Sequence, residues 1–290
     1  MTAETTTTIE PYGALAPGAL DRAVIAMSSA MPVNWLGMRL ANGLRRIVMK
    51  RLPEDGGVDV KRWGLRLRLH PRHNGCEKDL LFTPQFYEAG ERAALSSWIG
   101  QPRAAGEPFV FIDIGANVGL FSFFVASCAG GNARILAIEP ERENLRRLRF
   151  NIEANAGVPI QVLPHALDES AGTVAIELNT TDRGGTRTRP IEESAGVGVQ
   201  VECKPLAQVL AQEGVTRIDA LKIDVEGAED RILLPFFKRE PVSLWPRFII
   251  IEDSRKDWRA DLFAELQARD YKTVSRTRQN VMLALTPQIS

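Results

Sequence analysis

The sequence predicts an α/β fold built on a mostly parallel sheet, with helices covering both faces of the sheet. Three features of the 290-residue chain lead to this prediction. Short apolar runs of buried-strand length alternate with segments of helical periodicity from residue 109 onward. A glycine-rich turn joins the first run to the helix after it, and acidic residues stand at the ends of later runs. Such alternation is typical of parallel strands joined by crossover helices.

The strands and helices can be placed in chain order. Apolar runs of strand length predict strands at Phe109–Ile114, 134–138, Ile160–Leu163, Ala220–Ile223 and 248–251. Between these runs the periodicity predicts helices at about residues 120–128, 141–154 and 228–237. A closing hairpin is expected from the segments 271–275 and 280–285.

The N-terminal part of the chain differs in character from the rest. Residues 1–18 are of low complexity, which predicts a disordered tail. Residues 19–83 are expected to form a helical and β extension, with a helix break at Pro32 and a turn-rich linker at 53–59. The α/β domain is then expected to occupy residues 84–290.

Composition limits the classes of function. The 36 Lys and Arg residues balance the 36 Asp and Glu residues, which argues against a general nucleic-acid partner because such a protein needs a basic excess. The three cysteines are odd in number and widely spaced, so no disulfide framework or zinc site is predicted. No signal peptide and no apolar run of membrane-spanning length is visible, and a cytoplasmic location is expected.

The strongest motif is the run Asp-Ile-Gly-Ala-Asn-Val-Gly at residues 113–119, which follows a predicted buried strand and opens a helix. Glycine at Gly115 and Gly119 permits a tight turn and lets a ligand approach the backbone. The spacing is not the Gly-x-Gly-x-x-Gly of dinucleotide-binding proteins. The preceding Asp113 would disfavour a pyrophosphate but suits a ligand that carries an ammonium and a sulfonium.

A second signal is Glu139, which stands at the end of the second predicted strand and precedes Pro140. A carboxylate at this strand tip, about 20 residues beyond the glycine loop, is placed to accept hydrogen bonds from both ribose hydroxyls of a nucleoside. Taken alone, the same residue could be a helix cap.

The third signal is the run Leu-Lys-Ile-Asp-Val-Glu-Gly-Ala-Glu at residues 221–229. If the strand persists, alternation puts Lys222, Asp224 and Glu226 on one side of it. Asp224 would then stand at a carboxyl strand end beside the topological switch point, where open α/β sheets bind ligands. Acids crowded in this way need a cation or Lys222 to offset their repulsion.

In these three motifs the chain resembles the FkbM family of methyltransferases over roughly residues 85–285. The resemblance implies a class I methyltransferase domain, a Rossmann-like sheet of seven strands in the order 3-2-1-4-5-7-6 with strand seven antiparallel. It also implies S-adenosylmethionine as cofactor and O-methylation of a hydroxyl on a sugar, a lipid-linked glycan or a polyketide-type metabolite.

The family's cofactor contacts can be carried over to this sequence. Asp113, Gly115 and Gly119 would contact the methionine part, Asn117 would shape the loop, and Glu139 would hold the ribose. Asp168, which follows the third strand, is a candidate for the adenine amino group. An acid in an ordinary turn is an equally good interpretation of Asp168.

The catalytic prediction concerns the acids near the fourth and fifth strand ends. Asp224 or Glu226 is expected to act as the base or to orient the acceptor, with Lys222 balancing their charge and Glu252 as a further candidate. The interpretation adopted here uses no metal. Its rival uses Asp224, Glu226 and Glu252 as oxygen ligands for Mg²⁺.

Two other functions compete with O-methylation: an NAD-dependent oxidoreductase on a similar sheet, and a binding module that has lost catalysis. The role of residues 35–52 is also open. This predicted amphipathic helix carries five basic and no acidic side chains. It could make weak contact with an anionic membrane surface, but packing against the α/β domain, as a wall of the acceptor site, is the preferred interpretation.

Overall fold

The computed structural model describes residues 10–53, 56–177, 187–190 and 198–286. These described residues form two compact units, one within the ranges 1–87 and 153–155 and one within the ranges 88–152 and 156–290. The boundary in the chain therefore lies a few residues beyond the predicted position at residue 84. Within the described ranges, no helix has the length and apolar character needed to cross a membrane.

The described residues of the first unit form three helices and a two-stranded hairpin. In chain order these are α1 (Ala19–Ser29), α2 (Trp35–Arg51), β1 (Val58–Arg62), β2 (Leu65–Leu69) and α3 (Gly75–Phe82). The predicted break near Pro32 is confirmed, since α2 begins after Asn34, whose side chain accepts a hydrogen bond from the Gly37 N–H at 2.8 Å. β1 begins at Val58, inside the segment 53–59 that the sequence predicts to be a linker.

The segment before α1 is tied to the hairpin. The N–H groups of Gly13 and Leu15 donate to the Asp59 carboxylate at 2.7 and 3.0 Å, and Arg68 forms a buried ion pair with the same carboxylate at 2.7 Å. The prediction of a disordered tail up to residue 18 is therefore wrong from residue 10 onward, because a buried acid in β1 organises this backbone.

Helix α2 buries a different face from the one its apolar residues suggest. Gly37, Ala41 and Val48 are buried, whereas the larger apolar side chains lie at the surface: Trp35, Leu36, Leu40 and Ile47. Small side chains allow a neighbouring backbone to approach closely, and α1 packs against α2 with the Ser28 hydroxyl 3.5 Å from the Ala41 carbonyl oxygen. The packing of α2 against the α/β domain, as a wall of the acceptor site, stays a prediction.

The second unit contains the predicted α/β fold. Its elements are α4 (Ala89–Ile99), β3 (Phe109–Ile114), α5 (Leu120–Cys128), β4 (Ala133–Ile138), α6 (Arg142–Glu153), β5 (Ile160–Leu163), β6 (Ala166–Leu167), β7 (Gly172–Glu177), β8 (Arg187–Pro190), β9 (Val199–Lys204), α7 (Leu206–Gln212), β10 (Ala220–Ile223), α8 (Glu229–Arg239), β11 (Phe248–Glu252), α9 (Leu262–Gln267), β12 (Tyr271–Arg276) and β13 (Asn280–Leu285).

The main sheet confirms the predicted strand order. Its seven strands run β12-β13-β11-β10-β3-β4-β5. β13 is antiparallel to both of its neighbours, whereas β11, β10, β3, β4 and β5 pair in parallel. Every residue of β3 and β10 is buried, which is why these strands are nearly continuous apolar runs. A smaller sheet of order β6-β9-β7-β8 lies in the chain between β5 and β10.

Candidate active site

The three sequence motifs meet because their strands are neighbours. β3 lies between β4 and β10, and all three run in the same direction. The residues that follow these strands therefore emerge at one edge of the sheet. Asp113 and Lys222 are register partners on β3 and β10, so the first and third motifs lie side by side.

The glycine loop is held against the neighbouring strands by its backbone. The N–H groups of Gly115 and Ala116 both donate to the Ile138 carbonyl at 3.0 Å. Gly115 has a φ of +70°, and a β-carbon there would lie 1.9 Å from the Asp224 carbonyl oxygen. Only glycine fits between the loop and the third motif, so this residue fixes how closely the two motifs approach.

Asp113 lies beneath this loop and anchors the following helix. Its Oδ2 accepts hydrogen bonds from the Ser122 hydroxyl at 2.6 Å and from the Ser122 N–H at 3.1 Å. Burial raises the pKa of Asp113, an effect that Lys222 and these hydrogen bonds oppose. The other oxygen, Oδ1, is buried and accepts no hydrogen bond from the described residues.

Glu139 closes the loop on its other side. Its Oε2 accepts from the Asn117 N–H at 2.7 Å, and its Oε1 accepts from the Glu141 N–H at 2.9 Å. Asn117 has a left-handed φ of +54°, a conformation that Asn tolerates better than most residues. Burial raises the pKa of Glu139 to about 7. The carboxylate of Glu139 therefore hydrogen-bonds to the loop that precedes α5. It also lies at the end of β4, where the sequence predicts the ribose contact.

Lys222 lies among carboxylates. Its Nζ donates to Asp224 Oδ2 at 2.8 Å and lies 5.0 Å from the centre of the Phe121 ring. Burial would lower the pKa of Lys222, but the carboxylates of Asp224, Glu88 and Asp113 outweigh it and raise that pKa. The expected role of Lys222 in balancing the acidic charge is consistent with these contacts.

Three acids come together above the ends of β10 and β11. Asp224, Glu226 and Glu252 each offer a carboxylate oxygen, and these oxygens lie within 4.8 Å of one another. Burial, reinforced by the charges of Asp224 and Glu226, raises the pKa of Glu252 to about 8. Three oxygens at such distances could hold a divalent cation or share a proton.

The strand does not persist through this motif. β10 ends at Ile223, and Glu226 has a left-handed φ of +58°. Strand alternation is therefore not what brings Glu226 beside Asp224. A turn does so, and the fully buried Glu229 holds it: Oε1 accepts from the N–H groups of Val225 and Gly227 at 3.0 and 3.3 Å, and Oε2 accepts from the Trp258 indole at 2.7 Å.

A match to a known protein family establishes the class of enzyme to which this chain belongs. The model of the methyltransferase FkbM domain matches residues 113–273, more than half of the chain, and this range contains all three motifs. The chain belongs to the FkbM methyltransferase family. Family membership favours a methyltransferase over the NAD-dependent oxidoreductase, and it supports S-adenosylmethionine as the cofactor, as the sequence predicted.

Three individual proteins that resemble this FkbM methyltransferase share between 15% and 28% sequence identity with it. It is 28% identical over 212 residues to methyltransferase sdnD of Sordaria araneosa, covering 56% of this chain and 81% of that one. It is 27% identical over 215 residues to the AMB antimetabolite synthetase AmbE of Pseudomonas aeruginosa, covering 60% of this chain but only 10% of that one. The METTL16 methyltransferase domain shares its fold, with a TM-score of 0.50, 15% identity and coverage of 93% and 92%.

Two residues that the sequence analysis missed lie outside the FkbM match. Glu88, at the start of α4, has a pKa raised to about 7 by burial and interacts electrostatically with Lys222 and Asp224. Asn280 is the register partner of Glu252, and its side-chain amide donates to Glu91 at 2.9 Å and to Glu88 at 3.4 Å. Neither residue belongs to a recognisable motif, because both are brought in by contacts distant in sequence.

Asp168 has partners that its sequence context did not indicate. Its Oδ2 accepts from the Arg231 guanidinium at 3.0 Å, and its Oδ1 accepts from the Glu169 N–H at 2.8 Å. Arg231 lies on α8, so the carboxylate fastens the start of the small sheet to that helix. An adenine contact by Asp168 stays a prediction, and the ion pair would fix the orientation of the carboxylate for it.

Proposed function

We propose that this methyltransferase transfers the methyl group of S-adenosylmethionine to a hydroxyl oxygen of a small molecule, such as a sugar, a lipid-linked glycan or a polyketide-type metabolite. The observation that carries the proposal is the contact between the glycine loop and the third motif at Gly115 and Asp224. This contact places the backbone of the glycine loop beside the carboxylates of Asp224, Glu226 and Glu252. The name of one relative, an antimetabolite synthetase, fits a small-molecule acceptor.

The residues present fit the proposed cofactor. Glu139 has a carboxylate at the second strand end. Its Oε2 accepts one hydrogen bond, from the Asn117 N–H, and keeps a second lone pair for a ribose hydroxyl, whereas Oε1 already accepts from the Glu141 N–H at 2.9 Å and the Asn144 side-chain amide at 3.4 Å. Gly115, Asn117 and Gly119 form a loop whose close backbone approach a side chain would block. The buried Oδ1 of Asp113, with no hydrogen bond from the described residues, gives this end of the site negative charge suited to the ammonium and sulfonium groups.

Catalysis then requires alignment and removal of one proton. S-adenosylmethionine supplies a methyl group that its positively charged sulfur already activates. As the acceptor oxygen bonds to the methyl carbon, the bond from that carbon to sulfur breaks, and the hydroxyl proton passes to a carboxylate. Alignment can contribute roughly 7–11 kcal/mol and a placed base about 10²–10⁴-fold.

Glu252 joins Asp224 and Glu226 as the candidate base. A base is most effective when its pKa lies near the working pH, and Glu252 has a pKa of about 8. Asp224 is hydrogen-bonded to Lys222 and is therefore suited to orient the acceptor hydroxyl. The sequence favoured Asp224 or Glu226 for the base and gave Glu252 as a further candidate, and the surroundings of Glu252 favour it for this role.

Methyl transfer from labelled S-adenosylmethionine to hydroxylated metabolite fractions tests this function. Methylation on oxygen is expected, and Glu252→Gln or Asp224→Asn should lower turnover about 10²-fold. Asp253→Asn is the matched control, since Asp253 follows Glu252 but pairs with Arg255 at 2.7 Å. A product methylated on nitrogen or sulfur would refute O-methylation, and full turnover in both site variants would refute the base.

The rival use of the same acids as Mg²⁺ ligands has its own test. With a carboxylate base, turnover should be unchanged in excess EDTA. With a metal-bound acceptor hydroxyl, EDTA should abolish turnover and added Mg²⁺ should restore it.

A further inference from the structure

We propose that helix α2 binds the surface of an anionic lipid bilayer. This inference does not depend on which acceptor is methylated. Its basis is an outward face of α2 on which large apolar and basic side chains lie together. Trp35 is 76% exposed, Leu40 51%, and Leu36 and Ile47 47% each.

These apolar side chains are concentrated in one part of the chain. Among the described residues, the exposed large hydrophobic side chains elsewhere are Val199, Val242 and Val274, which are scattered through the second unit. Seven others fall between residues 20 and 47: Leu20, Met27, Val33, Trp35, Leu36, Leu40 and Ile47. Exposed apolar side chains concentrated in one segment mark an interaction site more often than singly scattered ones do.

The spacing divides the outer face of α2 into two adjacent rows. Leu36, Leu40 and Ile47 follow one another at intervals of four and seven residues, and so lie on one side of the helix. Arg39, Arg46 and Lys50 form the neighbouring row at intervals of seven and four. All six side chains are exposed. An apolar row beside a basic row is the arrangement of a helix lying in the plane of a membrane surface.

The charge of this segment identifies the partner as anionic. The whole chain has a formal net charge of zero, yet residues 11–52 contain six basic side chains and one acid, Asp21. Asp21 is paired with Arg51 at 2.9 Å, and Arg45 is paired with Asp79 at 3.3 Å. Arg39, Arg46 and Lys50 form no ion pair with the part of the chain that the structure describes, so their charges are available to lipid headgroups.

A bilayer accommodates both rows at once. Trp35, at the start of the helix, carries an apolar ring and an N–H, a combination that is enriched at membrane–water interfaces. The apolar row can enter the boundary between headgroups and acyl chains, while the long side chains of the basic row extend to the lipid phosphates. Each basic side chain near an anionic surface strengthens binding about fivefold.

Vesicle flotation with the intact protein tests this proposal. We expect binding to vesicles of phosphatidylcholine mixed with phosphatidylglycerol, much weaker binding to phosphatidylcholine alone, and release at high salt. Leu36→Ser with Leu40→Ser should weaken binding at least about tenfold through lost apolar burial. Arg39→Gln, Arg46→Gln and Lys50→Gln together should weaken it by about 100-fold at low salt.

Matched variants separate this face from general properties of the protein. The triple variant Arg149→Gln, Lys238→Gln and Lys272→Gln removes the same charge from exposed positions of the second unit and should bind like the native protein. Val242→Ser with Val274→Ser is the control for exposed apolar residues. The helical circular dichroism of each variant should match the native protein.

Several outcomes would overturn the proposal. The first is failure of the intact protein to float with the mixed vesicles. Equal binding to neutral vesicles, or equal binding by the α2 variants, would do the same. A dimer in light scattering that the Leu36→Ser and Leu40→Ser changes dissociate would show that a second copy covers this face instead.

Discussion

The carbonyl oxygen of Asp224 occupies the space that a β-carbon on Gly115 would need: the two would be 1.9 Å apart. Gly115 belongs to the loop after β3, and Asp224 follows β10, so this contact joins the first and third motifs. It sets the spacing between the proposed cofactor loop and the proposed catalytic acids. The Asp224 N–H also donates to the Ile114 carbonyl at 3.1 Å, which gives the two motifs a second contact.

Gly115→Ala should therefore separate the two motifs. A left-handed φ costs alanine about 1 kcal/mol, and the forced backbone shift adds about 1–3 kcal/mol. Urea unfolding should show this loss, and affinity for S-adenosylhomocysteine should fall with it. Gly131→Ala is the matched control: Gly131 also has a positive φ, of +86°, but a β-carbon there meets nothing within 4 Å. Equal losses in the two variants would mean that the Asp224 contact contributes nothing.

Glu139→Ala should weaken cofactor binding. The change removes the proposed acceptor of the ribose hydroxyls and also the carboxylate to which the N–H groups of Asn117 and Glu141 donate. Hydrogen bonds to a charged group are worth about 1.5–3 kcal/mol, so affinity for S-adenosylhomocysteine should fall about 10- to 150-fold in calorimetry. Glu143→Gln, which neutralises a half-buried carboxylate of α6 that pairs with Arg146 and Arg147, is the control and should leave affinity unchanged. Native affinity in Glu139→Ala would refute the ribose assignment.

The same residue should make cofactor affinity depend on pH. Hydroxyl donors bind the charged carboxylate, and the pKa of Glu139 is raised to about 7. Below pH 7 binding must first remove a proton, so affinity should fall up to about tenfold per pH unit between pH 7 and pH 5. Glu139→Gln should bind weakly at every pH, with this dependence gone.

The contribution of Glu139 to folding stability should change with pH in the direction opposite to its contribution to cofactor affinity. The folded pKa of about 7 exceeds the ordinary glutamate value of 4.5, so the folded state binds the proton more tightly than the unfolded state. The resulting stabilisation is complete below about pH 4.5 and is lost as the pH rises through 7. Urea unfolding of the unliganded protein at several pH values should show a smaller decline in Glu139→Gln than in the native protein.

The two glutamates of the third motif should behave differently. Glu229→Ala removes the acceptor for Val225, Gly227 and Trp258, and unsatisfied buried donors cost about 1–3 kcal/mol each, so stability should fall by about 3 kcal/mol or more. Glu226→Gln removes a carboxylate charge from the three crowded acids, so stability should hold or rise while turnover falls. Unfolding midpoints and turnover measured on both variants check this, and the reverse pattern would contradict it.

Much of the fold could be predicted from the sequence because its determinants are local. Buried parallel strands such as Phe109–Ile114 and Ala220–Ile223 are apolar on both faces, and their helices have a different period. The glycine loop and the third motif could be found from residue type and spacing alone. The four-stranded sheet between β5 and β10 is harder to predict, since β6 has two residues and carries no periodic pattern.

Other parts of the site were decided by tertiary contacts. Nothing near Glu88 or Asn280 in the sequence indicates that both lie beside the acidic cluster, because their contacts span more than a hundred residues of chain. The left-handed turn at Glu226 is likewise set by the buried Glu229, and not by strand alternation. Asp168 gained Arg231 as a partner for the same reason.

Helix α2 shows most plainly which properties the sequence determines and which the tertiary structure determines. The sequence determined that Trp35–Arg51 is helical, basic and amphipathic, because these properties follow from residue order and a period of 3.6. It could not determine which face is buried. The tertiary structure places Gly37, Ala41 and Val48 inward, where their small size lets α1 pack closely, and so leaves the larger apolar side chains facing outward. Close packing, rather than hydrophobicity alone, made that choice.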